Sequence, residues 1–98
     1  MSYKLEFSGS ALSKLEALGQ ADAKKLRQIF MKIVSLRRAP FPQDSKKLQN
    51  FQYQGMTGYR VDQGEYRIIY AVNDADKRVI IGLVLNRNED YKELRGLK

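Results

Sequence analysis

The sequence contains no cysteine, no histidine and no apolar run long enough to cross a membrane. Without cysteine, the chain has no disulfide, no thiol nucleophile and no cysteine-based zinc site. Without histidine, it cannot form a Ser-His-Asp triad, a histidine metal site or the paired imidazoles that cleave RNA in some nucleases. Any catalysis must therefore use Arg, Lys, Tyr, Asp or Glu, and we expect neither a metal nor a cofactor.

The N-terminus also lacks the apolar segment of a signal peptide. Together with the missing cysteines, this predicts a cytoplasmic protein that is not attached to a membrane. The 98 residues are enough for one domain, which we place over residues 1–98. The net charge of +7 favours a polyanionic partner, such as nucleic acid or an acidic protein.

The first half of the chain has the pattern of one strand and two helices. Alternating apolar residues predict a strand over residues 2–8, and Ser8 or Ser10 can cap a helix that ends at Gly19. Asp22 can cap a second helix over residues 21–38. Prolines at positions 40 and 42 stop this helix. Its expected apolar side consists of Leu26, Ile29, Phe30, Ile33 and Val34.

Lysines lie outside that apolar side. They are either an ordinary solvated helix surface or part of a surface that binds nucleic acid. Residues 40–55 are predicted to be a loop, with a short strand near its end at most. Two exposed lysines of this loop are further candidates for phosphate contact. The five candidates are Lys24, Lys25, Lys32, Lys46 and Lys47.

The second half of the chain predicts a hairpin followed by a buried strand. Residues 57–62 and 65–73 alternate in character, with Gln63 and Gly64 between them as a tight turn. Residues 78–86 are almost entirely apolar, so we expect an interior strand buried on both faces. The sequence of residues 87–98 predicts one or two helical turns. The fold class is α+β, with the order βααβββ(α) and an αα-hairpin covering one face of an antiparallel sheet.

Two arginines are the most informative feature of the hairpin. With residues 63 and 64 as the turn, Arg60 stands opposite Arg67 and Asp62 stands opposite Glu65 on the open face. Like charges directly opposite each other destabilise a sheet. One interpretation is a local quartet, in which each arginine pairs with the carboxylate two residues away. The other interpretation is a phosphate site, because guanidinium groups bind phosphate through paired hydrogen bonds.

Arg87 favours the phosphate site. It directly follows the strand 78–86 and should lie near Arg67 if that strand is antiparallel to its neighbour. A helical tail would place Tyr91 on the same side as Arg87, because the two are four residues apart. Tyr91 could stack on a base or donate a proton, or it could simply anchor the tail helix through apolar contacts.

The segments "DSKKLQN", "GYRVDQGEYRIIYAVND" and "VIIGLVLNRNEDYKEL" resemble the RelE/ParE toxin superfamily of bacterial toxin–antitoxin pairs. The resemblance covers nearly the whole chain. It implies a toxin that cleaves messenger RNA in the ribosomal A site, without a metal, by attack of a 2′-hydroxyl on the adjacent phosphate. It also implies an antitoxin as partner in a hetero-oligomer, and the 70S ribosome as the place of action.

Carried over by position, the resemblance assigns phosphate-holding roles to Arg60, Arg67 and Arg87, and an orienting or protonating role to Tyr91. Two positions depart from the family pattern. Asn86 stands where many members have histidine, and Asp62 stands where RelE has a lysine that is thought to act as the base. A carboxylate at position 62 could accept the proton, but it is a weak base at neutral pH. These departures keep open a ParE-like inhibitor of DNA gyrase or a degenerate binding member.

Overall fold

The computed structural model describes residues 2–88. It confirms the α+β class and the αα-hairpin that covers one face of a sheet. The sheet has five strands, one more than the sequence predicted, in the order β1-β5-β4-β3-β2. Strand β1 is parallel to β5, and all other neighbours are antiparallel. The elements are β1 Lys4–Phe7, α1 Gly9–Ala21, α2 Ala23–Ser35, β2 Lys46–Tyr53, β3 Met56–Gln63, β4 Tyr66–Asn73 and β5 Arg78–Asn86.

Side-chain caps fix where the two helices begin. The Ser8 hydroxyl accepts a hydrogen bond from the backbone N–H of Ala11 at 3.0 Å and donates one to the carbonyl of Gly82 at 2.6 Å. Ser8 therefore both starts α1 and ties it to β5. Asp22 accepts from the N–H of Lys25 at 3.1 Å and starts α2, as expected.

The helix ends differ from the sequence prediction. Gly19 does not end α1, which continues to Ala21. A Cβ on Gly19 would lie 2.8 Å from the side chain of Leu26, so this glycine allows the two helices to approach closely. The second helix ends at Ser35, before the prolines, and its Phe30 is 44% exposed rather than packed in the core.

Strand β5 is an interior strand between β1 and β4, and Val79–Leu85 are buried on both faces, as expected. On the helical side, the core joins both helices to the sheet through residues such as Ile29, Ile33, Ile68 and Ile81, all fully buried. Tyr70 is also fully buried there, and its hydroxyl donates to the carbonyl of Pro40 at 2.7 Å.

The prediction of a loop over residues 40–55 is wrong for its second half, because residues 46–53 form β2. The pairing of β2 with β3 shifts register between Lys47 and Gln52, so the strand contains a large bulge. Its apolar residues therefore do not follow a period of two, which hid the strand in the sequence. No helix in the described part of the chain is long and apolar enough to span a membrane.

The sheet face away from the helices is less open than expected. Apolar side chains from β2 fold across it and pack against residues of β4 and β5. One cluster there, which we call the apolar floor, consists of Leu48, Phe51, Ile69, Leu83 and Leu85. A second cluster beside it contains Tyr53, Ala71 and Ile80.

Candidate functional site on the cationic face of the sheet

The hairpin turn lies at Gly64 and Glu65, one residue later than predicted. Gly64 has φ of +60°, which glycine adopts without steric cost, so it takes the first position of the two-residue loop. The cross-strand pairs are then Gln63 with Tyr66 and Asp62 with Arg67.

This register corrects the expected contact between the arginines. Arg60 pairs with Ile69, not with Arg67, and Asp62 pairs with Arg67, not with Glu65. Directly paired residues share a face of a sheet, as do residues two apart on one strand. Arg60 and Arg67 are therefore diagonal neighbours on the same face. Because Ile69 belongs to the apolar floor, this is the face away from the helices, as predicted.

Asp62 lies between the two arginines in the register. Its carboxylate forms an ion pair with the Arg60 Nε at 3.4 Å. The Arg60 side chain is only 18% exposed, whereas that of Asp62 is 53% exposed. The sequence suggests that each arginine could pair with the carboxylate two residues away, and the structure contains the Arg60–Asp62 pair. Such partly exposed pairs contribute roughly 0–1 kcal/mol to stability.

Strand β2 adds a lysine to the arginines. Lys46 is directly paired with Arg60 across the β2–β3 ladder, so it shares their face. The sequence alone predicts that Lys46 is a phosphate contact in a loop, whereas the structure places it at the start of β2. Lys46, Arg60 and Arg67 thus stand on three adjacent strands, and we call this set the cationic face. Lys47 is the next residue of β2. It pairs with Tyr59 and is exposed.

Arg87 lies at the same end of the sheet as Arg67. Its backbone N–H donates to the carbonyl of Glu65 at 2.7 Å, at the hairpin turn. Arg67 itself pairs with Leu85, two residues before Arg87 on β5. The expected antiparallel approach of these segments is confirmed, and Arg87 is exposed. Tyr91 and the predicted tail helix lie outside the described residues.

The helix lysines do not join the cationic face, because α2 covers the opposite side of the sheet. Lys24 is exposed there. Lys32 binds Asp44 at 2.8 Å, and this hydrogen bond lowers the pKa of Asp44. Lys25 reaches the hairpin turn, since a Cβ on Gly64 would lie 3.7 Å from its Nζ. Lys25 is therefore near the end of the sheet that carries Arg67.

The residues around the cationic face offer positive charge and hydrogen-bond donors rather than metal ligands. Within residues 2–88 there is no group of three or more acidic side chains placed to hold a metal ion. The apolar floor borders the charges directly, because Ile69 pairs with Arg60 and Leu85 pairs with Arg67. Such an arrangement suits a ligand with a phosphate for the charges and flat apolar groups for the floor.

Comparisons with known proteins agree with this architecture. The chain is 27% identical to a chain of the archaeal RelE–RelB complex from Pyrococcus horikoshii OT3, covering 92% of this chain and 100% of that one, with a TM-score of 0.71. The isolated E. coli RelE toxin is 21% identical, with 98% and 96% covered and a TM-score of 0.72. A YoeB/ParE toxin from Agrobacterium tumefaciens is 20% identical, with 85% and 96% covered and a TM-score of 0.70.

The structures at 20% and 21% identity show the shared fold. No curated protein matches the sequence closely enough to add to this comparison. A family model, described as the ParE toxin of the type II toxin–antitoxin system parDE, matches residues 5–91. That match spans most of the chain, including the cationic face and the two helices. The chain therefore belongs to the ParE toxin family of type II toxin–antitoxin systems, within the RelE/ParE superfamily.

Proposed function

We propose that this protein is a ribosome-dependent endoribonuclease that cleaves messenger RNA without a metal ion. The observation that carries the proposal is the cationic face: Lys46, Arg60 and Arg67 lie on three adjacent strands, on the sheet face that the helices leave uncovered. Strands hold side chains in fixed directions, so these donors are already placed before a phosphate arrives. The resemblance to RelE-type toxins implies the same chemistry.

In the proposed reaction, the ribose 2′-oxygen attacks the adjacent phosphorus. A base takes the 2′-hydroxyl proton, the bond between phosphorus and the 5′-oxygen breaks, and the leaving 5′-oxygen receives a proton. The products are a 2′,3′-cyclic phosphate and a 5′-hydroxyl. Negative charge grows on the phosphate oxygens in the transition state, where fixed guanidinium donors have their greatest effect. Arg60 and Arg67 supply these donors, and Arg87 lies at the same end of the sheet.

Proton transfer has two candidate groups among the described residues of the face. Asp62 lies opposite Arg67 and is ion-paired with Arg60. Lys46 lies opposite Arg60, so its amine would be next to the bound phosphate. Tyr91, outside the described residues, remains our proposal for orienting or protonating the RNA. Comparing Asp62→Asn with Lys46→Met would show which residue is the base. Loss of the base lowers the cleavage rate of bound RNA, whereas loss of a charge that only binds lowers the affinity for RNA.

The match to the ParE toxin model favours a second function, inhibition of DNA gyrase without RNA chemistry. Two assays with the same purified protein separate these functions. Toeprinting on translating ribosomes should show new messenger RNA ends in the A site. A gyrase supercoiling assay should show no inhibition at the same protein concentration. Supercoiling inhibition without new RNA ends would instead establish the gyrase function.

We also propose that the protein acts in the cytoplasm and is neutralised by an antitoxin. RelE–RelB and RelBE structures among the similar proteins are toxin–antitoxin complexes. The net charge of +7 favours a partner segment rich in carboxylates. A groove of about 380 Å³ on the helical hairpin is lined by Met31, Val34, Ser35, Arg37 and Arg38, which suits an apolar segment with acidic residues.

A further inference from the structure

A second groove lies along the edge strand β2, outside the cationic face. Its volume is about 760 Å³. Its polar lining consists of one lysine and three exposed glutamines, and its apolar lining comes from one leucine and one phenylalanine. The lining residues are Lys47, Leu48, Gln49, Phe51, Gln52, Gln54 and Gly55.

The groove exists because β2 is not a regular strand. Lys47 pairs with Tyr59 and Gln52 pairs with Thr57, so four residues of β2 span one residue of β3. The single residue opposite this bulge is Gly58, and a Cβ there would lie 2.6 Å from the Phe51 ring. The missing side chain at Gly58 therefore makes room for the Phe51 ring. Bulges of this kind turn side chains in new directions and often lie beside functional sites.

The groove is continuous with the cationic face. Leu48 and Phe51 belong both to the groove and to the apolar floor. That floor also contains the residues paired with Arg60 and Arg67. A strand of RNA with one phosphate on the arginines could thus extend its next nucleotides into the groove without crossing a barrier.

The side chains of the groove match the chemistry of unpaired bases. Single-stranded RNA is recognised by aromatic stacking and by hydrogen bonds to base edges, with cations on the backbone. Phe51 is half-buried and offers a ring, Lys47 offers a cation, and Gln49 and Gln52 offer amides that both donate and accept. Glutamine amides can form paired hydrogen bonds with an adenine edge.

We propose that the β2 groove is a base-recognition subsite that sets the sequence preference of cleavage. It holds unpaired nucleotides of single-stranded RNA next to the phosphate on the cationic face. This inference rests on the proposed nuclease function, because the groove is assigned to the RNA that extends from the scissile phosphate. Gln49 and Gln52 are the specificity-determining residues, and Phe51 is the stacking surface.

The test uses the double variant Gln49→Ala/Gln52→Ala and the control Gln20→Ala/Gln28→Ala. Both pairs are exposed glutamines, and the control pair lies on the helices. The first measurement maps the messenger RNA sites that each protein cleaves on translating ribosomes. The ratio between strongly and weakly cleaved sequences should fall about tenfold in the groove variant, as expected for the loss of paired base contacts. The control should keep the wild-type ratio.

The second measurement needs neither a ribosome nor cleavage. Fluorescence anisotropy gives the affinity of each protein, carrying Arg67→Ala, for A-rich and U-rich single-stranded RNA hexamers. The groove variant should lose about tenfold in affinity for the preferred hexamer, whereas the control should not. If wild-type protein does not cleave messenger RNA on translating ribosomes, the nuclease proposal fails. The anisotropy measurement then decides by itself whether the groove binds RNA.

Two results would overturn the inference. One is an unchanged cleavage preference together with unchanged hexamer affinity in the groove variant. The other is weaker binding of the antitoxin with unchanged hexamer affinity, which would assign the groove to a protein partner. Melting temperatures of both double variants should match the wild type, because all four glutamine side chains are exposed.

Discussion

At the scale of single residues, Arg67 is the side chain on which activity should depend most. It is held by cross-strand pairs on both sides, with Asp62 on β3 and Leu85 on β5. Its backbone is therefore rigid, and its guanidinium loses little conformational freedom when a phosphate binds. Removing one such donor costs about 10²–10³ in rate. We expect Arg67→Ala to abolish growth inhibition and to leave the melting temperature almost unchanged, which an expression assay and a thermal melt would check.

Two further variants make this test specific to the guanidinium. Arg67→Lys should restore activity only in part, since an ammonium cannot form the paired hydrogen bonds of a guanidinium. Arg27→Ala removes an exposed arginine from α2 and should leave toxicity unchanged. Full toxicity of Arg67→Ala at equal expression would mean that Arg67 serves only in local ion pairing.

Tyr70 provides a residue-scale prediction about stability. Burial raises its pKa to about 12 from the ordinary value of 10.0, and its hydroxyl donates to Pro40. The folded state therefore keeps the proton at pH values where the unfolded chain has lost it. The stabilising contribution is complete below about pH 10 and is lost as pH rises toward about 12.

Tyr70→Phe should lower the free energy of unfolding by about 1–3 kcal/mol at neutral pH, because the buried carbonyl of Pro40 loses its donor. The difference between wild type and variant should shrink above pH 10, as measured by denaturant unfolding at pH 8 and pH 11. An equal difference at both pH values would show that the Tyr70 hydroxyl does not titrate with folding.

At the scale of elements, β2 contributes Leu48 and Phe51 to the apolar floor and carries two lysines, Lys46 and Lys47, just before them. Gly58 allows this packing, because any Cβ there would meet the Phe51 ring at 2.6 Å. Gly58→Ala should therefore destabilise the protein by about 1–3 kcal/mol, as overpacking does. Gly9→Ala is the matched control: nothing lies within 4 Å of its Cβ position, and alanine is the better helix former. Chemical denaturation measures both, and equal stability of the two variants would contradict the packing of Phe51 over Gly58.

The elements also show what could be predicted from the sequence. Ser8, Asp22 and the apolar run of β5 are local signals, and the structure confirms all three. Strand β2 gave no such signal, since its bulge breaks the alternation of apolar residues. Its position opposite Arg60 depends on contacts between distant parts of the chain. The exact register of the hairpin depended on one glycine, because placing Gly64 first in the loop moves every cross-strand pair.

At the scale of the whole molecule, the fold separates two surfaces. The helices and the core occupy one side of the sheet, and the cationic face with its apolar floor occupies the other. The alternation of residues along the hairpin was enough to predict that Arg60 and Arg67 share the sheet face away from the helices. The floor and the β2 groove were not, because both arise where β2 folds across the sheet. The tail containing Tyr91 lies outside the described residues, and its role remains a prediction.

The absence of histidine and cysteine predicts that activity does not need a bound metal. The toxin would be treated with EDTA, exchanged into fresh buffer and then added to ribosomes at a fixed free magnesium concentration. The cleavage rate should equal that of untreated protein, since cationic side chains neutralise the phosphate. A metal bound stoichiometrically at the cationic face, or a rate restored only by added metal, would refute this prediction.

The most direct test of the proposed function is the rate of messenger RNA cleavage on programmed ribosomes, followed by primer extension. We predict A-site cleavage by wild-type protein and by Arg27→Ala, and a rate lower by about 10²–10³ for Arg67→Ala. The upstream fragment should end in a 2′,3′-cyclic phosphate. Equal cleavage rates for Arg67→Ala and wild type, or intact messenger RNA with wild-type protein while gyrase is inhibited, would contradict the assignment of the cationic face as a nuclease site.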